Sequence, residues 1–240
     1  MKLHEQLFIN EKSVTLSTKL IHLEWLAVGS ASFTFVTNEP PIMGMQVVYQ
    51  LAYGSGEFRP MFQGYISQVI KLKNNQYQAK CKEWTWLLHK TISLNLRHVT
   101  AKEIITELGV LTGVGFILPK SEWVNEMVPR FQHIGTAQTA IKQLFKVFNI
   151  VNPCWLLQPN LVVYVGESNL SLSGSKTVTL PVEQLQAVTF QGATITMVPR
   201  LKVGTNVIFN DSVYVVNTID VQGLTMRLGW FKQSELTGAA

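Results

Sequence analysis

Alternating apolar and polar residues dominate the first third of the chain. Residues 45–53 place Val47, Tyr49 and Leu51 on one face and glutamines on the other. This period of two is typical of a β-strand with one buried face. Other short apolar runs, separated by turn residues, lie at 13–26, 33–36, 62–72 and 77–84. We therefore predict about five strands in this region, enough for a small antiparallel barrel.

A second set of strand-like runs occupies residues 194–228. The turns that divide it are Pro199 to Gly204, Asn210-Asp211 and Gln222-Gly223. Asn, Asp and Gly favour tight hairpin turns because they tolerate a positive φ. The pattern predicts a second antiparallel module, which begins near Val178.

Helical spacing appears only in the middle of the chain. Thr100 and Glu103 have the spacing of a capping box, in which two residues exchange side-chain and backbone hydrogen bonds at a helix start. The apolar stripe that follows is Ala101, Ile104, Ile105, Leu108 and Leu111. A similar stripe after Thr136 is Ala137, Ala140, Ile141, Leu144, Phe145 and Phe148. We predict two amphipathic helices, whose matching registers indicate a small internal repeat.

Together these patterns predict a mainly β fold with a small α+β middle. Two small antiparallel β-barrel modules are expected to flank the helix-containing segment. We place the first barrel at residues 1–95, the middle domain at 96–170 and the second barrel at 171–240. The best linker candidate is 166–176, which is rich in Ser, Gly and Asn.

Composition adds two readings of the surface. Apolar residues make up 47% of the chain and charged residues only 15%, which fits either surface buried by partners or a well-filled β-core. The net charge is +5, and the basic excess is uneven. A basic strip accompanied only by Glu83 consists of Lys71, Lys73, Lys80, Lys82, Lys90, Arg97 and Lys102. Such a strip meets nucleic acid or an acidic partner, or is a solvated strand face.

The chain shows no sequence signal for a membrane. Its apolar runs are too short for a transmembrane helix, and its first residues lack the apolar core and cleavage site of a signal peptide. We therefore expect the protein to stay in a cytoplasm until it assembles. Cys81 and Cys154 have no metal-ligand or redox spacing, so buried free thiols are expected.

No catalytic, cofactor-binding or metal-ligating residue is predicted, and we do not expect an enzyme. Asp211 lies in a predicted turn and Asp220 near a hairpin. The histidines, His4, His22, His89, His98 and His133, are scattered without metal-ligand spacing. The glycine pairs Gly54/Gly56 and Gly113/Gly115 do not continue into a phosphate-binding loop.

Two other functions stay open at this point. Distant glutamates, with Glu103, Glu122 and Glu126 as candidates, are compatible with a hydrolase of cell-wall glycan, because such enzymes need only two suitably placed carboxyl groups. Trp84 and Trp86, flanked by lysines, are compatible either with a stacking platform for single-stranded nucleic acid or with a plug at the end of the first barrel.

The order of the motifs resembles that of phage tail baseplate hub proteins, including the late-control-D-like family, which are related to the base of type VI spike proteins. The residues that carry the resemblance are Gly29-Ser-Ala-Ser-Phe33-Thr-Phe35, Gly44-Met-Gln-Val47-Val-Tyr49, Phe62-Gln-Gly64-Tyr-Ile66, the strand 77–88, the helix starts at Thr100 and Gly135-Thr136, and Met197-Val-Pro199-Arg-Leu-Lys-Val-Gly204 with Tyr214-Val-Val216. They span most of the chain, and all are structural rather than chemical.

The resemblance implies a homotrimer in the baseplate of a virion tail, assembled in the host cytoplasm. Three subunits with two tube-like modules each would form a pseudo-sixfold ring that joins the tail tube to a central spike on a separate polypeptide. The implied partners are the tail tube protein, the spike, the tape-measure protein and other baseplate proteins. DNA would pass only as cargo, with no membrane insertion and no cofactor. Closing such a ring covers strand edges that a monomer leaves open.

Overall fold

The first six strands pair in a closed circle. The computed structural model describes residues 2–180, 183 and 185–233. The strands are β1 (Leu3–Ile9), β2 (Lys12–Glu24), β3 (Ser30–Val36), β4 (Gln46–Tyr53), β5 (Arg59–Lys73) and β6 (Gln76–Glu83). Their order is β1–β4–β5–β6–β3–β2, and β2 pairs back with β1. All these pairs are antiparallel, and Phe33, Tyr49 and Phe62 fill the interior.

Strand β1 was not among the predicted strands, because a polar group inside the circle breaks its alternation. Glu5 of β1 forms an ion pair with the buried Lys19 of β2 and accepts a hydrogen bond from the Tyr49 hydroxyl at 3.1 Å. A buried carboxylate needs partners of this kind, since an unpaired charge in an apolar interior is costly. Because Glu5 is polar and faces inward, β1 lacks the apolar–polar alternation by which a strand is predicted from sequence.

The middle of the chain contains the predicted helices and their repeat. Its elements are β7 (Thr91–Thr100), α1 (Ala101–Thr112), β8 (Gly115–Ile117), β9 (Met127–Thr136), α2 (Ala137–Val147), β10 (Pro153–Leu157) and β11 (Val162–Glu167). Strand β7 leads into α1 as β9 leads into α2, and the two strands pair antiparallel. Thr100 pairs with Met127 and Thr91 with Thr136. Thr100 of the first half corresponds to Thr136 of the second, and Thr91 corresponds to Met127. Swapping corresponding residues turns one of these pairs into the other, so the two halves are related by a pseudo-twofold axis.

Both helix starts are capped as the sequence predicts. Thr100 Oγ1 accepts from the Glu103 backbone N–H at 3.3 Å, and the Glu103 carboxylate accepts from the Thr100 N–H at 2.8 Å. Thr136 Oγ1 accepts from the Thr139 N–H at 3.2 Å. These bonds satisfy backbone donors that a helix start otherwise leaves open.

The last third holds six more strands. They are β12 (Thr177–Thr179), β13 (Leu185–Thr189), β14 (Gly192–Thr196), β15 (Asn206–Phe209), β16 (Ser212–Gln222) and β17 (Thr225–Lys232). Over the described residues they form an open path, β13–β14–β17–β16–β15–β12. Asn210 and Asp211 have φ of 47° and 58°. A two-residue hairpin turn of this type needs a positive φ at both central residues. Asp211 is therefore the turn residue that the sequence predicts.

The predicted fold class, mainly β with a small α+β middle, is confirmed. One apolar core runs through the first and last thirds, and a second core lies in the middle segment. The division at residues 95/96 and 170/171 stays a prediction. Cys81 and Cys154 are buried free thiols, as expected.

The proposed linker at 166–176 is instead a tight, partly buried turn. The Ser171 hydroxyl donates to the Ser168 carbonyl at 2.6 Å and accepts from the Gly174 N–H at 2.9 Å. A Cβ on Gly174 would lie 1.9 Å from the Ser168 carbonyl oxygen, so only glycine fits. Serine and glycine are enriched here for turn geometry rather than for flexibility.

The capping box generates a stability prediction. Thr100→Ala removes the cap of α1 and should lower the free energy of unfolding by about 1 kcal/mol, measured by urea denaturation. The matched control is Thr106→Ala in the same helix, where the hydroxyl only donates back to the Lys102 carbonyl at 2.8 Å. Alanine favours a helix interior, so the control should lose nothing. Equal losses in both variants would contradict the capping role.

Candidate assembly interface

The two β-modules are joined by direct strand pairing. The C-terminal half of β2 pairs antiparallel with β16, and Asp220 lies opposite His22. The result is one continuous eight-stranded surface, β5–β6–β3–β2–β16–β17–β14–β13, which we call the shared sheet. Backbone hydrogen bonds therefore hold together segments that lie at opposite ends of the chain.

One face of the shared sheet is polar. Directly paired residues point to the same side of a sheet. A continuous row of such partners runs Lys82, Ser30, His22, Asp220, Arg227, Thr194. The neighbouring row runs Lys80, Ser32, Leu20, Gln222, Thr225, Thr196. Two hollows of about 1510 and 780 Å³ lie along this face.

A half-exposed ion pair spans the joint between the modules. His22 Nδ1 lies 2.6 Å from Asp220 Oδ1, and His22 Nε2 lies 3.5 Å from Glu24 Oε2. The hydrogen bond to Asp220 raises the pKa of His22, partial desolvation opposes the rise, and the charges of Asp220 and Glu24 add to it. The joint thus carries an imidazole that keeps its proton to a higher pH than a free histidine does.

The two modules repeat one strand order, with β2–β3–β4–β5–β6 matched by β13–β14–β15–β16–β17. Gly44 and Gly204 both begin the third strand with φ of 86° and 84°. The Gly44 N–H donates to the Ile66 carbonyl at 2.8 Å, and the Gly204 N–H donates to the Val216 carbonyl at 2.8 Å. In each module the pairing with the next strand shifts register directly after Ile66 or Val216. The modules therefore share a common topology.

This repeat makes the two ends of the shared sheet complementary. In the matched strand order, β16 corresponds to β5 and β13 corresponds to β2. The β2–β16 pairing inside one chain is therefore a template for pairing β13 of one copy with β5 of another. Over the described residues, β4 covers β5 at 59–65 and leaves its edge open at 68–73. Strand β13 pairs only with β14 among the described strands. Two different open edges favour head-to-tail association of copies.

The loop before β15 anchors the second module into the first, and sequence reasoning missed it. Lys202 Nζ donates to the Pro60 carbonyl and lies 3.7 Å from the Met61 sulfur. The Tyr53 hydroxyl donates to the Met197 carbonyl at 2.7 Å. Burial lowers the pKa of Lys202 to about 8, and Glu83 opposes that shift. The Pro-to-Gly spacing shows a turn, but no local signal shows what the turn docks against.

The tryptophan pair does not form the expected strand face. Residues Trp84–His89 form a 3₁₀-helix directly after β6, and the Glu83 carboxylate accepts from the Thr85 hydroxyl at 2.6 Å. The Trp86 ring stacks on His89 at 4.3 Å between centroids, and Lys82 Nζ lies 5.1 Å from its centre. The ring thus already has a stacking partner. The expected common strand face, on which both the stacking platform and the barrel plug depended, is wrong.

The other candidate residues are dispersed. The basic strip is spread over β5, β6, β7, α1 and the turn before β7, and only Lys80 and Lys82 lie on the rows described above. Glu122 and Glu126 are exposed at the two ends of a short 3₁₀-helix. Hydrogen bonds from Thr100 lower the pKa of Glu103, whereas a general acid needs a raised one.

The described residues hold neither a metal-ligand cluster nor a helix that could span a membrane. Within 2–180, 183 and 185–233, no group of three or more His, Cys, Asp or Glu side chains is placed to hold a metal ion. In the same part of the chain, neither α-helix has the length and apolar character needed to cross a bilayer.

This fold occurs in phage tail proteins. The 43 kDa tail protein of prophage MuSo2 from Shewanella oneidensis has a TM-score of 0.72 and 12% identity, covering 96% of this chain and 98% of that one. The c3393 protein of Escherichia coli, a component of the type VI secretion system with structural similarity to bacteriophage tail proteins, has a TM-score of 0.66 and 11% identity, covering 97% and 78%. At such identities the likeness establishes the fold alone.

One sequence relative also comes from a phage. An uncharacterised 58.7 kDa protein of Haemophilus phage HP1 is 19% identical over 197 residues, which cover 76% of this chain and 37% of the relative. The chain therefore spans little more than a third of that protein. No protein-family model matches the sequence.

The His22–Asp220 pair generates a pH prediction. Because the folded pKa of His22 is raised, the stabilisation is fully present below the ordinary value of about 6.5 and is lost as pH rises through the raised value. Asp220→Asn should therefore cost more stability at pH 5.5 than at pH 8.5 in urea denaturation, and it should lower the His22 pKa measured by NMR. Asp211→Asn, in a turn that tolerates Asn, is the control. Equal losses at both pH values would refute the pair's role.

Proposed function

We propose that the chain is a structural hub subunit of a phage tail baseplate or a phage-derived particle. Three copies associate head to tail into a ring that joins the tail tube to a central spike. The observation that carries the proposal is the pair of open, complementary edges of the shared sheet, whose internal β2–β16 joint already shows how one module continues into the next.

The strand order supports a ring of three copies. Each copy brings two modules with the same topology, so three copies bring six similar modules around one axis. Segments 1–95 and 171–240 supply these modules, while 96–170 forms a unit with its own core. Pairing β13 of one copy with β5 of the next covers the backbone groups that each edge leaves open, which is a strong reason for the sheet not to stay monomeric.

In this proposal the polar face of the shared sheet lines a channel. One row carries the basic Lys82 and Arg227 together with His22 and the acidic Asp220, and most other positions of the two rows are small and polar. A lining of mixed charge offers no continuous basic track that would hold a nucleic acid tightly. It suits the passage of DNA and of an extended tape-measure protein.

The ring has defined partners and no chemistry of its own. The tail tube protein meets one rim, and the spike and other baseplate proteins meet the other, in a virion assembled in the host cytoplasm. The proposal involves no catalytic step, cofactor or membrane insertion. Within the described residues, no observation favours a glycan hydrolase or a stacking site for single strands.

The mass of the purified chain tests the proposal. Light scattering at micromolar concentration should give about 81 kDa, three times the 27.0 kDa of the chain, and negative-stain images should show a ring with a central hole. Leu72→Glu places a charge on the open edge of β5, at an exposed position between two paired residues, and should shift the protein to monomer.

The matched control is Leu224→Glu, at an exposed turn position outside either open edge. It should assemble like the unchanged chain. A soluble monomer at all concentrations, or assembly unaffected by Leu72→Glu, would contradict the proposal.

A further inference from the structure

The two-stranded sheet of the middle segment has one face without a neighbour. Among the described strands, β7 and β9 pair only with each other. Their inner positions, including Leu94 and Phe131, are buried in the core that also contains α1 and α2. The opposite positions are exposed, and they form three directly paired couples, Ser93 with Ile134, Asn95 with Gln132, and Arg97 with Arg130. We call these six residues the ribbon face.

The charge on the ribbon face is of one sign. Neither β7 nor β9 contains an aspartate or a glutamate. Among the described residues, no carboxylate lies within ion-pair distance of Arg97 or Arg130. Glu103, in the first turn of α1, is held by Thr100 instead. Within the described part of the chain, the two guanidinium groups therefore have no counter-charge.

This arrangement of charges is unfavourable unless a partner is bound. Arg97 lies directly opposite Arg130, and like charges at such positions destabilise a pair of strands. The Arg130 Nε–H donates to Asn95 Oδ1 at 3.1 Å, which orients that guanidinium on the exposed face. Guanidinium groups bind carboxylates through two parallel hydrogen bonds. An acidic partner would therefore remove the repulsion and use both groups.

The other side chains of the ribbon face favour a protein over a nucleic acid as the partner. Ile134 is 76% exposed on the same side as the arginines. Arginine beside an exposed apolar side chain is typical of a protein–protein interface. Binding to nucleic acid depends on many contacts with phosphates. Only Arg97 and Arg130 carry a permanent positive charge on this face.

We propose that the ribbon face binds an acidic surface of another protein. Carboxylates of that surface bind to Arg97 and Arg130, and an apolar side chain packs on Ile134. The inference rests on the proposed function only for the identity of the partner as another tail component. The ribbon face belongs to the unit with its own core, so this contact does not use the edges of β5 and β13.

Binding of fluorescein-labelled poly-L-glutamate to the full chain, measured by fluorescence anisotropy at low salt, tests the charge of the face. The double variant Arg97→Gln/Arg130→Gln should raise the Kd by about fivefold or more. The matched control, Lys142→Gln/Lys146→Gln, removes the same charge from exposed positions on α2 and should raise it by less than about twofold. A loss in the arginine variant no larger than that in the control would overturn the proposal, because it would reflect only the net charge.

A DNA duplex of about 20 base pairs, titrated in the same way, distinguishes the two kinds of anion. The arginine variant should lose more affinity for poly-L-glutamate than for the duplex. An equal or greater loss for the duplex would make the face a nucleic-acid site and overturn the protein partner.

Light scattering of the same samples separates this contact from the ring. Both double variants should have the mass of the unchanged chain, whatever that mass is. A smaller mass in the arginine variant alone would mean that the ribbon face joins copies of the chain, which would overturn the proposal. A failed ring and a failed ribbon face are thus distinguished.

The stability of Arg97→Gln at low salt gives an independent measure. The substitution removes one of two opposed charges and no hydrogen bond to a described residue, so the urea midpoint should rise. Lys142→Gln is the control, and its midpoint should stay unchanged. A lower midpoint in Arg97→Gln would show that the arginine stabilises the chain itself, which contradicts a role reserved for a partner.

Discussion

The architecture depends on the hydrogen-bonding demand of strand edges. A strand at the edge of a sheet has unpaired backbone N–H and C=O groups on the side without a neighbour. Such open groups favour association with another strand. Inside the chain this demand is met by pairing β2 with β16 across a separation of about two hundred residues. Among the described strands the same demand is unmet at 68–73 of β5 and on the outer side of β13, and the common topology of the modules supports the proposed pairing of these two edges.

The loop before β15 restricts rotation between the two modules. The β2–β16 backbone pairing alone would hold them together only along one line. The loop adds contacts at a distance from that line: Lys202 against Pro60, Met197 against Tyr53, and Gly204 beneath Trp25. The ring that we propose would need such rigidity, because each module would have to hold a set angle to the next. The contacts at the joint thus set the relative orientation of the two modules.

Much of the fold can be predicted because each local sequence pattern has one physical cause. The period-two alternation predicts β4, and the Thr100–Glu103 spacing predicts the start of α1. Strand β1 does not show in the sequence because Glu5 faces inward, towards Lys19, which lies 14 residues further along the chain. The sequence predicts Trp84 and Trp86 as strand residues because no proline, glycine or capping pattern marks the 3₁₀-helix that begins at Trp84. The β2–β16 pairing lies beyond any local pattern, although it joins the two modules.

Amide hydrogen exchange tests the central claim most directly. In the assembled protein, amides of β5 at residues 68–73 should be protected to the same degree as those of β16 at 218–222, because both strands would have partners on two sides. Dilution to monomer should remove protection only from the outward-pointing amides of 68–73. Fast exchange of those outward-pointing amides in the assembled protein would contradict the account, since the open edge would then be no interface.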